Sequence, residues 1–342
     1  MGIYGERRVK FDQIEEAWLK HAYDGFPRKV GTPTQRLIQN REDFLQYVWS
    51  MLGRTNIYTS LFSEISKEIG NYYRIYIDID CINDLSQARK DAITVAGWFI
   101  SHTNTRPTVY FSGQKGFAVY FYFKPMKMDD YQYTARAIIE QIKTDTGVNT
   151  IDMITIGDIA RISRLPFTKH IGSGMWCIPI DMAWPLREII GNAVKWNGNV
   201  DFDIHMATGI KDWIREWEEK GKEHREEIKS QLGNGKNYGW DLDLIMKLAP
   251  YLIGGRRSLM YRVIIPKMYS EGASYNEIVD YINKFIYSSG SVIPNIERII
   301  QRHLRYTQQG KSLLWSQEKF FMHEPWAIGV FTNGERKIKN DT

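Results

Sequence analysis

The chain has 342 residues, 43% hydrophobic and 25% charged, a globular usage that excludes wholesale disorder and bounds it at one large domain or two unequal ones. Lys+Arg 45 against Asp+Glu 40 leaves +5, a mildly basic balance compatible with a nucleic-acid partner. Two cysteines, Cys81 and Cys177, exclude a disulfide framework and a thiolate zinc site, while leaving one bridge open. No run of about 18 apolar residues offers a membrane span, and Met1–Arg8 has no signal-peptide stretch. A soluble, cytoplasmic protein without a membrane partner is the expectation.

Helical spacing covers Phe11–His21 and Glu42–Leu52, on either side of a Gly- and Pro-rich stretch, Gly25–Pro33. Strands are expected at Asn56–Phe62 and Tyr72–Asp80, where β-branched and aromatic residues concentrate, with a short polar segment between them. Ala88–His102 has helical length and period. Thr108–Ser112 and Phe117–Phe123 read as strands joined by a tight turn containing glycine. Asp129–Thr146 is amphipathic, with Tyr133, Ala137, Ile138 and Ile142 on one face. Ile159–Leu165 and Met175–Ile180 look like a further strand pair. The pattern is α+β with a mixed or antiparallel sheet, not regular β-α alternation.

Composition changes after Trp184. Asp212–Lys229 is a helix dense in both charge signs, Gly233–Gly239 a glycine-rich linker, and Asp241–Tyr306 a set of short helices. Within them Ser274 and Glu277 match a capping box. The expected organisation is a first domain over 1–232, a linker at 233–240, a helical bundle over 241–310 and a tail at 311–342.

Three segments could carry chemistry. In Tyr76-Ile77-Asp78-Ile79-Asp80 a strand puts both carboxylates on one face, about 7 Å apart along the backbone. Two acids that close repel unless a cation neutralises them, and oxygen ligands at that separation suit Mg²⁺ or Mn²⁺. The plain alternative is a strand end with two solvated acids. Ser112-Gly113-Gln114-Lys115-Gly116 can cradle an anion with backbone N–H groups, a hydroxyl and a lysine. It is not a Walker loop, and it also reads as an ordinary turn. The third segment runs from Ile151-Asp152 to Arg161, Arg164 and His170, offering another acid and three potential cations. Alone these are surface charges. Together the three segments compose a nucleotidyl-transfer site.

In this order the motifs resemble the archaeo-eukaryotic primase superfamily. Pro166-Phe167-Thr168-Lys169-His170, running on to Pro179-Ile180-Asp181, is similar to the run in its primase small subunits. The likeness spans roughly residues 55–185, and the two-domain layout resembles primase-polymerases of archaeal plasmids and viruses. What the resemblance implies is an RNA-recognition-like sheet with flanking helices, followed by a C-terminal helical bundle. It implies metal carboxylates at Asp78, Asp80 and Asp152, triphosphate contacts at Ser112, Lys115, Arg164 and His170, and further contacts at Gln114 and Arg161. Mg²⁺ or Mn²⁺ would be the cofactor, with no zinc, since the family's zinc motif has no counterpart. The implied activity is template-directed DNA primase or DNA polymerase synthesis on single-stranded DNA from nucleoside triphosphates, in replication of a mobile element. A helicase is a further candidate partner. One position departs: Ala118 stands where the family has histidine. A DNA-binding replication initiator with a weakened nucleotide site, or an extension-only repair polymerase, therefore stays open.

The helical segment has its own signal. Arg256, Arg257, Arg262, Arg298 and Arg302 lie among interleaved tyrosines, and this composition fits a polyanion such as template DNA. An ordinary solvated bundle is the alternative.

Overall fold

The computed structural model describes residues 2–31, 34–81, 84–196, 198, 204–231, 240–251, 256–289, 296–310, 314–315 and 320. By compactness the chain divides into two units between His224 and Arg225. The first opens with α1 (Gly2–His21), β1 (Arg28–Val30), β2 (Arg36–Ile38), α2 (Arg41–Met51), β3 (Tyr58–Ser60) and α3 (Glu64–Ile69). Next come β4 (Asn71–Asp80), α4 (Leu85–Thr103), β5 (Thr108–Phe111), β6 (Gly116–Lys127) and α5 (Tyr131–Thr146). The unit continues with β7 (Ile162–Arg164), β8 (Ile178–Pro179), α6 (Leu186–Lys195), β9 (Met206–Ala207) and α7 (Lys211–Gln231), the last running across the division.

The larger sheet, in the order β4-β6-β5-β8, is built on β4 and β6, antiparallel from Asn71↔Lys127 to Asp80↔Gly116. Alternation sorts its faces. Ile75, Ile77 and Ile79 of β4 and Phe117, Val119 and Phe121 of β6 are fully buried, and Phe99 of α4 stacks on Phe121 at 4.4 Å. The Trp98 indole donates to Asp145 (2.8 Å), tying α4 to α5. Asp78, Asp80 and Ala118 alternate with these residues and take the other face. β5 covers the β6 edge from Phe117 to Tyr120, and β9 pairs in parallel beyond it at Tyr122 and Phe123. On the free edge of β4 the chain returns antiparallel at Ile151. There Asp80 N–H donates to the Thr150 carbonyl (3.1 Å) and Asp152 N–H to the Asp78 carbonyl (2.9 Å). The acidic end of β4 is thus held from both sides.

The smaller sheet, β2-β1-β3-β7, encloses a core with Trp18, Val30, Phe44, Ile57 and Phe167. A buried ion pair braces it. One Asp24 oxygen accepts from Arg28 (2.5 Å) and from the Tyr73 hydroxyl (3.0 Å), and the other accepts from Ser63 N–H (2.5 Å).

Several expected elements change. The polar segment before β4 is the helix α3, capped by Ser63, which accepts from Ser66 N–H (3.0 Å), and closed by left-handed Gly70. The strand expected over Asn56–Phe62 shortens accordingly to β3. The Gly-Pro stretch holds β1, because Val30 reaches the core. Ile159–Leu165 and Met175–Ile180 do not form one pair: β7 joins β3, whereas β8 joins β5. Pro166 has no N–H to extend such a ladder. The two segments meet only past it, where Phe167 N–H donates to the Cys177 carbonyl (2.7 Å) and Cys177 N–H to that of Thr168 (2.9 Å). The sheet material is therefore two sheets, mixed through β9, with α6 and β9 where no element was expected.

The second unit holds α8 (Leu242–Leu248), α9 (Arg256–Leu259), a π-helical turn at Met260–Ile264, α10 (Ile265–Ser270), α11 (Tyr275–Ser288) and α12 (Ile296–Gln308). Ile245, Leu259, Val263, Ile278, Ile282, Phe285 and Ile300 form its core, and Ser274 with Glu277 makes both bonds of the capping box. Residues 233–239 of the expected linker, and the expected tail apart from 314, 315 and 320, lie outside the described residues. Among the described residues no helix is long and apolar enough to cross a membrane.

Candidate active site

A cleft of about 240 Å³ opens on the polar face of β4 and β6. Its acids come from β4, where Asp78 sits opposite Ala118 and Asp80 opposite Gly116. A Cβ on Gly116 would fall 2.2 Å from the Asp80 carboxylate and from the Ile79 carbonyl, so glycine alone admits this approach of the strands. The turn into β6 is closed by Ser112 N–H on the Gly116 carbonyl (3.0 Å). Gly113 adopts φ +87°, and a Cβ there would press His170 and the Met175 carbonyl at 3.1 Å. Ser173 ties the turn to the His170 loop, its hydroxyl donating to the Gly113 carbonyl.

Arg161 and Lys115 engage the acids directly. An Arg161 Nη lies 3.0 Å from Asp78 and the Lys115 ammonium 2.6 Å from Asp80. Arg164 is positioned by β7 pairing with β3: it donates to the Tyr58 hydroxyl (2.8 Å) and to Asn56 (3.2 Å), with its guanidinium 4.8 Å from the Tyr58 ring centre. The Nδ1 of His170 accepts from Ser173 N–H (3.1 Å). In the neutral ring that bond leaves the proton on Nε2, as a donor.

The electrostatics follow from crowding. Burial, then Asp80, then Asp152 push the Asp78 carboxyl up to about 6, against the pull of Arg161. On Arg161 burial works against the charge, but Tyr76, Asp78 and Asp152 outweigh it and raise the pKa. The Asp80 hydrogen bond raises that of Lys115. Burial and Arg164 lower His170, which favours the neutral donor form.

Of the residues expected at a site, Asp78, Asp80, Ser112, Gln114, Lys115, Arg161, Arg164 and His170 line this one cleft. Asp152 lies beside Asp78 through the backbone bond at 2.9 Å and acts on it electrostatically, but is not in the lining. Among the described residues no three His, Cys, Asp or Glu side chains converge as a metal cage, because Asp78 and Asp80 each turn to a protein cation. The chemistry of the donor set still suits a hard divalent ion: oxygen donors of which one, Asp78, is already held toward its protonated form by burial and by repulsion from the others. The expectation missed Tyr58, Tyr76 and Tyr110 in the lining, whereas Tyr120 follows from alternation with Ala118. Tyr76 was open to the same alternation, two residues from Asp78. Tyr58 depends on the β3–β7 pairing, which no local pattern announces.

No family profile matches the chain, and no curated protein matches it. Among solved structures it is similar to the polymerase domain of Mycobacterium tuberculosis ligase D in complex with DNA. The identity is 9% and the TM-score 0.36, over 56% of this chain and 88% of that one. It is also similar to primase RepB', at 11% identity and TM-score 0.38, over 93% of this chain and 99% of that one.

Proposed function

We propose that the first unit is a primase-polymerase catalytic domain transferring nucleotides onto a growing strand on a single-stranded DNA template, and that the second serves template binding and initiation. The observation that carries the reading is the convergence of three sequence-distant segments into one cleft with an acidic floor, Asp78 and Asp80, and a rim of Lys115, Arg161, Arg164 and His170. A nucleoside triphosphate with a divalent cation has the complementary charges. The strand order, Ile151 edge–β4–β6–β5 with α4 and α5 as crossovers, agrees with an RNA-recognition-like sheet.

Asp78, Asp80 and Asp152 would hold Mg²⁺ or Mn²⁺, which supplies charge neutralisation at the phosphates and lowers the pKa of the attacking hydroxyl. Arg164, fixed by Tyr58 and Asn56, orients a phosphate chain. His170 Nε2–H donates to one of its oxygens. Lys115 and Arg161, released from the acids, neutralise the charge that develops on the leaving pyrophosphate.

A second reading, a replication initiator that binds DNA and handles nucleotides weakly, is favoured by Ala118 in the lining and by the acids' engagement with Lys115 and Arg161. Single-stranded template, nucleotides and Mn²⁺ without primer separate the readings. New oligomers are expected. Extension only from an added primer would reduce the assignment to a polymerase, and DNA binding with no incorporation would favour the initiator.

A further inference from the structure

At the other end of β6, about 20 Å from Ala118 along six residues of strand, lies a second cleft of about 390 Å³ between β6 and the start of α7. Met126 and Ile210 form part of an apolar floor. Lys124 and Lys127 stand on the β6 side, Lys211 and Arg215 on the α7 side, and no acidic residue lines it. All four cations are exposed, and among the described residues none has an ion-pair partner. Of the acids on the adjoining turns of α7, Glu216 is engaged with Lys220 (2.7 Å) and Glu218 with the Asp129 N–H (3.0 Å).

The arrangement costs the fold something. Lys211 and Arg215 are one helical turn apart, where like charges destabilise a helix. On β6, Tyr122 faces Arg74 and Met126 faces Tyr72, so four steps on one strand match two on the other, and Lys124 and Pro125 stand in the bulge. The four cations come from two different elements, with Lys124 and Lys127 three residues, about 10 Å, apart along β6, a wider spread than a site for a single phosphate needs. They match an extended polyanion whose phosphates meet the walls while sugars or bases rest on the floor.

We propose that this cleft binds the sugar-phosphate backbone of a nucleic-acid strand, as a contact separate from the carboxylate cleft. The anion site stands on its own geometry; the choice of a polynucleotide rests on the nucleotidyl-transfer reading. The test uses the full chain with Lys124→Gln, Lys127→Gln, Lys211→Gln and Arg215→Gln combined, and a labelled single-stranded oligonucleotide titrated over a range of salt. The slope of log affinity against log salt should become shallower by up to about 3, from about 0.7 for each of four single-strand contacts. Lys211→Gln with Arg215→Gln should give half that loss, which serves if the fourfold variant does not fold. Mononucleotide binding in the carboxylate cleft should not move. An unchanged slope in either folded variant, with synthesis intact, overturns this inference and spares the catalytic reading. A shallower slope in the variants, when the unsubstituted chain itself incorporates no nucleotide, supports the strand site and overturns the catalytic reading instead. If inorganic triphosphate binds through these four residues as tightly as the oligonucleotide, the site takes a small polyphosphate and the strand assignment is wrong.

Discussion

Ala118 lies between Asp78 on β4 and Tyr110 on β5 and lines the cleft, where a methyl group offers a phosphate no hydrogen bond. A charge-assisted bond there is worth about 1.5–3 kcal/mol, or about 10- to 150-fold in affinity. Ala118→His should therefore lower the nucleotide dissociation constant by that factor in the presence of Mn²⁺, read by calorimetry, with DNA affinity unmoved. No change would mean that the position does not meet the triphosphate. Asp78→Asn or Asp80→Asn should abolish incorporation while leaving oligonucleotide binding within about twofold, since different groups carry phosphate binding; either variant remaining active would remove the carboxylates from the mechanism. Cys177, beneath the same cleft, has its thiol pushed up to about 12 by burial and so lacks the reactive thiolate. Alkylation at pH 8 should label the partly exposed Cys81 first and reach Cys177 only on unfolding, as peptide mass mapping would show.

Among the elements, β1, β4 and the cap of α3 are bound together through the Asp24 carboxylate. The Arg28 side chain it faces is fully buried, so Asp24→Ala strands a buried charge. Such a loss costs about 3–5 kcal/mol, a drop that denaturant unfolding would register; a cost under 1 kcal/mol would mean that water reaches Arg28. In the helical unit, the π-helical turn sets Tyr261 flat against His303 of α12 at 3.9 Å. Burial, with Arg262 and Arg302, lowers the His303 pKa to about 4 from 6.5, and Tyr306 also faces the ring. The folded unit keeps the imidazole neutral while the unfolded chain takes up a proton below pH 6.5. Stability is thus full above pH 6.5 and declines as pH falls toward 4. His303→Gln should flatten that decline, seen by comparing urea midpoints at pH 7 and 4.5.

On the scale of the whole molecule, Arg257, Arg298 and Arg302 are exposed in the second unit, whereas Arg262 lies over the Trp315 ring at 5.5 Å and is partly spent on it. If this unit holds the template, truncation after residue 239 should weaken initiation more than extension of an annealed primer. Each lost phosphate contact should also flatten the salt dependence of single-strand affinity by about 0.7. Equal slopes for full and truncated chains would show that the helices do not touch phosphates.

What the sequence determined alone is whatever one strand, one helix or one turn can specify. Asp78 and Asp80 share a face because alternation has a period of two, Ser274 and Glu277 cap α11 because their spacing is local, and the glycine turn before β6 follows from its residues. Tertiary structure decided what depends on partners far along the chain. β7 and β8 part into two sheets because their hydrogen-bond partners, β3 and β5, are chosen by core packing and by the missing N–H of Pro166, not by their own similar composition. The same holds for the cleft. Arg161 reaches Asp78 across 83 positions and Arg164 reaches Tyr58 across 106. The basic cleft under Lys124 and Arg215 exists only because α7 begins beside the end of β6, and charges brought together from separate segments leave no periodic trace in either one.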